Sequence, residues 1–186
     1  MSAPHYVACL SLEGRRCLVV GAGRVALEKT ESLLAAGASV TVVAPEILLP
    51  FRDLPLELVQ RPFGEEDLDG CWLVVAATSD RAVNEAVHRE AERRRVFCNV
   101  ADVPDLCSFI LPALHRRGPI AVAVSTGGAS PALAQALRDR FAAQVDERHE
   151  RLAEELLEMR PWVRERFGTY EERRDFFRAR VEEALA

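Results

Sequence analysis

The sequence contains no long apolar run. Nowhere do hydrophobic residues approach the roughly eighteen in succession that a helical membrane span requires, which excludes a helical membrane protein. Met1 to Cys9 lacks the basic start and apolar stretch of a secretion signal, so a cytoplasmic protein is expected. A basic excess is missing too. The net charge of −5 argues against a general nucleic-acid surface, because neutralising phosphates demands a positive balance. Lysine is nearly absent, with Lys29 standing alone among arginines, and a base-composition bias of the genome explains that as well as any function. Cys9, Cys17, Cys71, Cys98 and Cys107 are odd in number and form no C-x-x-C pair. That pattern disfavours a disulfide framework or a zinc site and predicts buried free thiols. His5, His88, His115 and His149 show no metal-ligand spacing, so no preformed metal site is expected and metal is left open only as a substrate. No internal repeat and no low-complexity linker is visible.

The 186 residues, 49% hydrophobic, suffice for one substantial core and a smaller appendage. Cys17-Leu-Val-Val-Gly predicts a first strand, and Val25 to Gly37 a helix whose apolar residues recur at helical spacing and stop at a glycine. Further strands are expected at Val40 to Ala44, Leu56 to Val59, Trp72 to Ala77 and Val96 to Val100. A helix over Arg81 to Arg94 is capped from Thr78-Ser-Asp. Continuous apolar strands spaced by helices indicate a doubly wound α/β fold, a parallel sheet covered on both faces. After Asp102 the pattern changes. Cys107 to Pro112 and Ile120 to Ser125 read as two antiparallel strands, with Ala113 to Pro119 between them. A capped helix over Ala132 to Val145 and a charged helical tail broken at Pro161 and Gly168 follow. The tail is expected to bury Leu152, Leu156, Leu157, Trp162, Phe167, Tyr170, Phe176 and Phe177. Residues 112 to 145 hold four basic groups and one acidic group, the only net-positive stretch, where an acidic ligand would settle.

Gly21-Ala-Gly-Arg-Val-Ala26 is a G-x-G-x-x-A between a first strand and a first helix, the context in which that motif binds a dinucleotide. Gly21 permits the tight turn, Gly23 admits the pyrophosphate, Ala26 allows close packing, and the helix-start amides face the anion. An acidic residue closing the second strand is missing. The chain reads Val43-Ala-Pro45-Glu46, so Glu46 or the backbone at Pro45 and Glu46 would hold the ribose. No arginine follows at once to meet a 2′-phosphate, which favours NAD over NADP. Asp102, past the carboxyl end of a strand, is a candidate acid or base, or else a turn-forming Asp ahead of a proline. Ser125-Thr126-Gly127-Gly128-Ala-Ser130-Pro131 serves either as an amide cradle for a carboxylate or as a loop with a helix cap. Arg116, Arg117, Arg138 and Arg140 lie close by in sequence and offer guanidinium forks for carboxylates.

Leu18 to Lys29, Ala76 to Asn84, Phe97 to Asp102, Ser108 to Pro112 and Ser125 to Pro131 together resemble the successive motifs of the precorrin-2 dehydrogenases. That family includes the amino-terminal part of sirohaem synthases, and the likeness spans roughly residues 5 to 145. The resemblance implies an NAD-binding Rossmann domain over 1–112, a dimerisation region over 113–146 and a helical region over 147–186, in a homodimer. It implies NAD-dependent oxidation of precorrin-2 to sirohydrochlorin, with Asp102 as general base, Gly21, Gly23, Arg24, Val25, Pro45 and Glu46 lining the cofactor site, and Thr78 joining them. Arg116, Arg117, Thr126, Gly127, Gly128 and Ser130 are the expected substrate contacts for a tetrapyrrole bearing eight carboxylates. Three departures stand out. Ala22 replaces a usual glycine, Glu28-Lys29 replaces a usual Arg-Lys pair, and no methyltransferase domain follows, which suggests a stand-alone enzyme. Two alternatives stay open: a bifunctional enzyme that also inserts iron, aided by Asp102 and His115, or a binding module that senses NAD.

Overall fold

The computed structural model describes residues 5–186, and the chain forms two compact units, one from Tyr6 to Ile110 and one running from Leu111 to Ala186. In the first unit, β1 (Arg16–Val20), β2 (Ser39–Val43), β3 (Glu57–Val59), β4 (Leu73–Ala76) and β5 (Phe97–Val100) form one parallel sheet in the order β3-β2-β1-β4-β5. Register is fixed by pairs such as Val19 with Val42 and Val75. Because side chains alternate across a strand, β1 serves two cores at once. Cys17 and Val19 face α1 (Arg24–Leu34) through Ala26 and Leu33, with Val42 and Phe51 beside them. Leu18 and Val20 face α2 (Arg81–Arg94) through Val87 and Ala91, with Val74, Cys98 and Val100 in the same layer. Burial on both faces is why these strands read as unbroken apolar runs. Asp80 caps α2 by accepting hydrogen bonds from the amides of Ala82 (2.8 Å) and Val83 (3.4 Å), and Arg95 ends the helix in the left-handed region at φ 59°.

The second unit begins with an antiparallel hairpin, β6 (Ala113–Arg117) and β7 (Ile120–Val124), whose two-residue turn places Gly118 at φ +51°. A primed turn needs a positive φ at that position, so Gly118-Pro119 sets the register. The expected strand at Cys107 to Pro112 does not form, and the segment taken for a turn is itself β6. Cys107 to Pro112 is held locally instead. The Ser108 amide donates to the Cys98 carbonyl (2.8 Å), and Phe109 packs against the core under β1. α3 (Pro131–Ala142) packs on the hairpin and ends three residues earlier than expected. α4 (Glu147–Arg166) and α5 (Tyr170–Leu185) follow, each opened by a capping box, Asp146 with His149 and Thr169 with Glu172.

Pro161 does not break the tail. It lies inside α4, where the loss of one backbone bond is offset by packing of the last turn, including Val163, which is 1% exposed. Trp162, Phe167, Phe176 and Phe177 form a cluster of tilted and edge-on rings that joins α4 to α5. Of the eight tail residues expected to be buried only Leu152 is: Leu156, Phe167, Phe176 and Phe177 are half-buried, Leu157, Trp162 and Tyr170 are 50%, 51% and 67% exposed, and Val163 is buried instead. Cys9 is likewise exposed, unlike the buried Cys17, Cys71 and Cys98 and the half-buried Cys107. Among the described residues, no helix is long and apolar enough to cross a membrane.

Candidate functional site

Where β1 leaves the sheet, Gly21 adopts φ +103° and its amide donates to the Val43 carbonyl at 2.9 Å. A β-carbon there would lie 2.5 Å from the Ala77 carbonyl oxygen, so glycine is required both by conformation and by the close approach of the chain leaving β4. Gly23 caps α1 and has open space where a side chain would stand. It supplies no capping group, and the first turn of α1 carries no acidic residue. The first amides of the helix therefore lack a side-chain partner, and their dipole and N–H groups suit an anion. Ala26 is fully buried against β1, as close helix packing requires. Ala22 fits because it does not enter the left-handed region, where only Arg95 and Asp102 lie among the described non-glycine residues.

This turn forms one wall of a cavity of about 520 Å³ at the carboxyl edge of the sheet. The ends of β1 and β4 meet there, at the point where strand order reverses, which is where open α/β sheets place their ligands. Of the residues expected for the cofactor, Gly21, Gly23, Pro45, Glu46 and Thr78 line it, whereas Arg24 and Val25 stand exposed on the first turn of α1 and do not. The cavity's apolar and polar walls fit a dinucleotide: amides at one end, a carboxylate at Glu46, and Pro62, Phe63 and Val83 for flat rings.

Several wall residues gave no sequence signal. Pro62 and Phe63 belong to a loop pinned by a buried carboxylate. Arg61 donates both terminal nitrogens to Asp67, at 2.9 and 2.6 Å, and the Gly64 amide donates to the same group at 2.9 Å. Burial alone would raise the Asp67 carboxyl, but those hydrogen bonds outweigh it and hold it below its ordinary value. On the opposite wall, buried Asn84 donates to the Thr78 carbonyl (3.0 Å), and its oxygen lies 2.8 Å from the Thr78 hydroxyl. Asn84 thus fixes the turn between β4 and α2. The detectable hint was an amide at a core-facing helical position four residues after the cap.

Asp102 lies two residues beyond β5, exposed and at φ 60°, and does not line the cavity. The left-handed region is one that Asp and Asn tolerate better than other side chains. Its segment is anchored on both sides: Asn99 donates to the Phe109 carbonyl (3.1 Å), and the Cys107 sulfur bonds the Val100 amide (3.2 Å). Burial disfavours the thiolate form, pushing Cys17 up to about 11 and Cys98 up to about 12.

In the second unit, strand alternation sends Arg116 and Arg117 to opposite faces of the hairpin. Arg116 is exposed, and Arg117 pairs with Glu150 at 3.0 Å. In the glycine turn, Gly127 and Gly128 both have positive φ and open space around them. The Thr126 hydroxyl accepts from the Ser130 amide at 3.1 Å, and the Ser130 hydroxyl accepts from the Leu133 amide at 3.2 Å. Both side chains therefore shape the turn and cap α3. Among the described residues no cluster of three His, Cys, Asp or Glu groups converges on a point that would hold a metal ion.

Comparison with known proteins places these features in a family. A family model whose description reads "Putative NAD(P)-binding" matches residues 8–113, and the model for the central part of sirohaem biosynthesis proteins matches 117–144. Siroheme synthases of Salmonella typhi and Citrobacter koseri are 42% and 43% identical over 177 residues, covering 93% of this chain. The chain spans 39% of the length of those synthases. Among solved structures, the precorrin-2 dehydrogenase SirC is similar with a TM-score of 0.80 and 28% identity, over 98% of this chain and 93% of that one. The chain belongs to the family of that putative NAD(P)-binding model, which spans residues 8–113, and carries the central segment of sirohaem biosynthesis proteins at 117–144.

Proposed function

We propose that this chain dehydrogenates precorrin-2 to sirohydrochlorin with NAD, in sirohaem biosynthesis and in the cytoplasm. The observation that carries the reading is the cavity at the switch point, whose glycine turn and uncapped helix start fit a pyrophosphate. The substrate comes from the likeness to SirC and to the siroheme synthases. Bound in this cavity, NAD would supply a hydride acceptor at its nicotinamide C4. The chain's own groups do the rest. The amides of the turn at Ala22 and Gly23 would hold the pyrophosphate, Glu46 or the backbone beside it would bind the ribose, and Thr78, fixed by Asn84, flanks the same space.

Dehydrogenation removes a hydride and a proton, and Asp102 is the proposed acceptor of the proton at its carboxylate. Thr126, Gly127, Gly128, Ser130, Arg116 and Arg117 are the proposed contacts for the substrate's carboxylates, in the one net-positive stretch of the chain. We further propose a homodimer, with residues 113–146 as the dimerising region and 147–186 as a helical tail. Anaerobic incubation of the pure protein with precorrin-2 and NAD, followed through NADH absorbance and the sirohydrochlorin spectrum, tests the reading. Stoichiometric formation of both products is expected. NAD binding without turnover would instead point to a sensing module.

A further inference from the structure

No lysine or arginine is among the residues that line the cavity, and two carboxylates, Glu46 and Asp80, are. Asp80 is committed to capping α2, whereas Glu46 is exposed and takes part in no ion pair among the described residues. In a doubly wound sheet the adenosine ribose lies at the carboxyl end of the second strand, and a nearby arginine is what accommodates a 2′-phosphate. Arg61 is the cation placed to do so. It follows β3 by two residues, and β3 pairs directly with β2 through Val59 and Val43. The exits of the two strands are tied together, since the Ala44 amide donates to the Val59 carbonyl (3.2 Å) and Gln60 donates to the Pro45 carbonyl (3.3 Å). Arg61 is also the residue just before the wall formed by Pro62 and Phe63.

Yet this guanidinium is already engaged. Its two terminal nitrogens both engage Asp67, one of them also donates to the Pro62 carbonyl at 2.9 Å, and Asp67 is only 6% exposed. A bidentate arginine–carboxylate pair is the strongest common use of that fork and leaves little of it for a phosphate. Arg24, the other nearby cation, stands exposed at the start of α1 outside the cavity. We propose that Asp67 is a specificity-determining residue: by sequestering Arg61 it leaves Glu46 as the dominant charge at the ribose end, so that NAD is accepted and the 2′-phosphate of NADP is rejected. The inference rests on the cofactor reading above and adds the origin of its selectivity.

Calorimetric titration of the full chain with NAD and with NADP provides the test. Wild type should bind NAD at least about tenfold more tightly, the scale of one charged hydrogen bond lost or one like charge faced. Asp67→Asn keeps an oxygen for the Gly64 amide but lacks the charge that holds Arg61. It should tighten NADP about tenfold while NAD changes by less than about twofold. The double variant Asp67→Asn with Arg61→Gln should return NADP to the wild-type level. An unchanged NADP-to-NAD ratio in a folded Asp67→Asn, or a gain that survives in the double variant, overturns the proposal. Should Asp67→Asn fail to fold by circular dichroism, wild type decides through salt. A freely available guanidinium would make NADP binding weaken more steeply than NAD binding as ionic strength rises, and that result, or equal affinity for both, sinks the idea. A wild type that binds neither nucleotide removes the cofactor reading itself, and this inference with it.

Discussion

At the scale of single residues, two positions combine an unusual backbone conformation with a proposed role. Gly21 is held at φ +103° with the Ala77 carbonyl where a β-carbon would sit. Gly21→Ala should therefore lose about 3 kcal/mol or more of stability through left-handed strain and overpacking. Chemical denaturation would measure that loss, and NAD binding should fall with it even at temperatures where the variant stays folded. Asp102 calls for a different probe, because its φ of 60° suits Asp and Asn but not alanine. Asp102→Asn keeps the backbone and removes the proposed proton acceptor. Its kcat should fall by about two to four orders of magnitude, with NAD affinity unchanged in direct titration. A near wild-type kcat would take Asp102 out of the mechanism.

At the scale of elements, what shapes the site is the set of connections between strands. Asn84 is buried and bonded to the Thr78 backbone, so Asn84→Ala leaves a carbonyl unpaired and frees the turn that lines the cavity. A loss of about 1–3 kcal/mol is expected in urea unfolding. The loop from Arg61 to Asp67 responds to pH. The Asp67 carboxyl is lowered in the folded chain, so its stabilisation is fully present above the ordinary carboxylate pKa of about 4 and disappears as pH falls through the lower folded value. Unfolding curves between pH 5 and pH 2 should accordingly be steeper in pH for wild type than for Asp67→Asn, and parallel curves would show that the pair adds no acid-sensitive stability. These are loop effects, invisible to periodicity. Arg-Pro-Phe-Gly-Glu-Glu-Asp reads as a polar connection, and only the folded chain brings Arg61 and Asp67 together. The hairpin makes the complementary point. Cys107 to Pro112 carries the apolar composition of a strand, but only Cys107 and Phe109 pack against the cores, each on a different face of the sheet, while Ala113-Leu-His-Arg-Arg pairs with β7 because Gly118 and Pro119 fix the turn.

At the scale of the molecule, the proposed dimer has a specific surface to answer for. One face of the hairpin leaves Leu114, Arg116, Ala121 and Ala123 exposed, and α3 leaves Leu133 and Phe141 exposed. Apolar groups of this size in neighbouring elements mark association surfaces more often than free ones. Leu114→Glu should therefore yield a monomer where wild type sediments as a dimer, and a monomeric wild type in light scattering at micromolar concentration would dismiss the dimer.

Much of this protein was written locally. Five apolar strands, the G-x-G-x-x-A turn, the Asp80 cap and the order of motifs follow from side-chain periodicity, glycine and short-range hydrogen bonding, each of which acts within a few residues. The fold class, the cofactor edge and the family were legible for that reason. Tertiary structure alone decided which residues share the cavity: it brought Pro62 and Phe63 into its wall and left Arg24 and Val25 outside. Those outcomes depend on where separate strands end in space, and no spacing along the chain encodes the distance between the ends of two parallel strands.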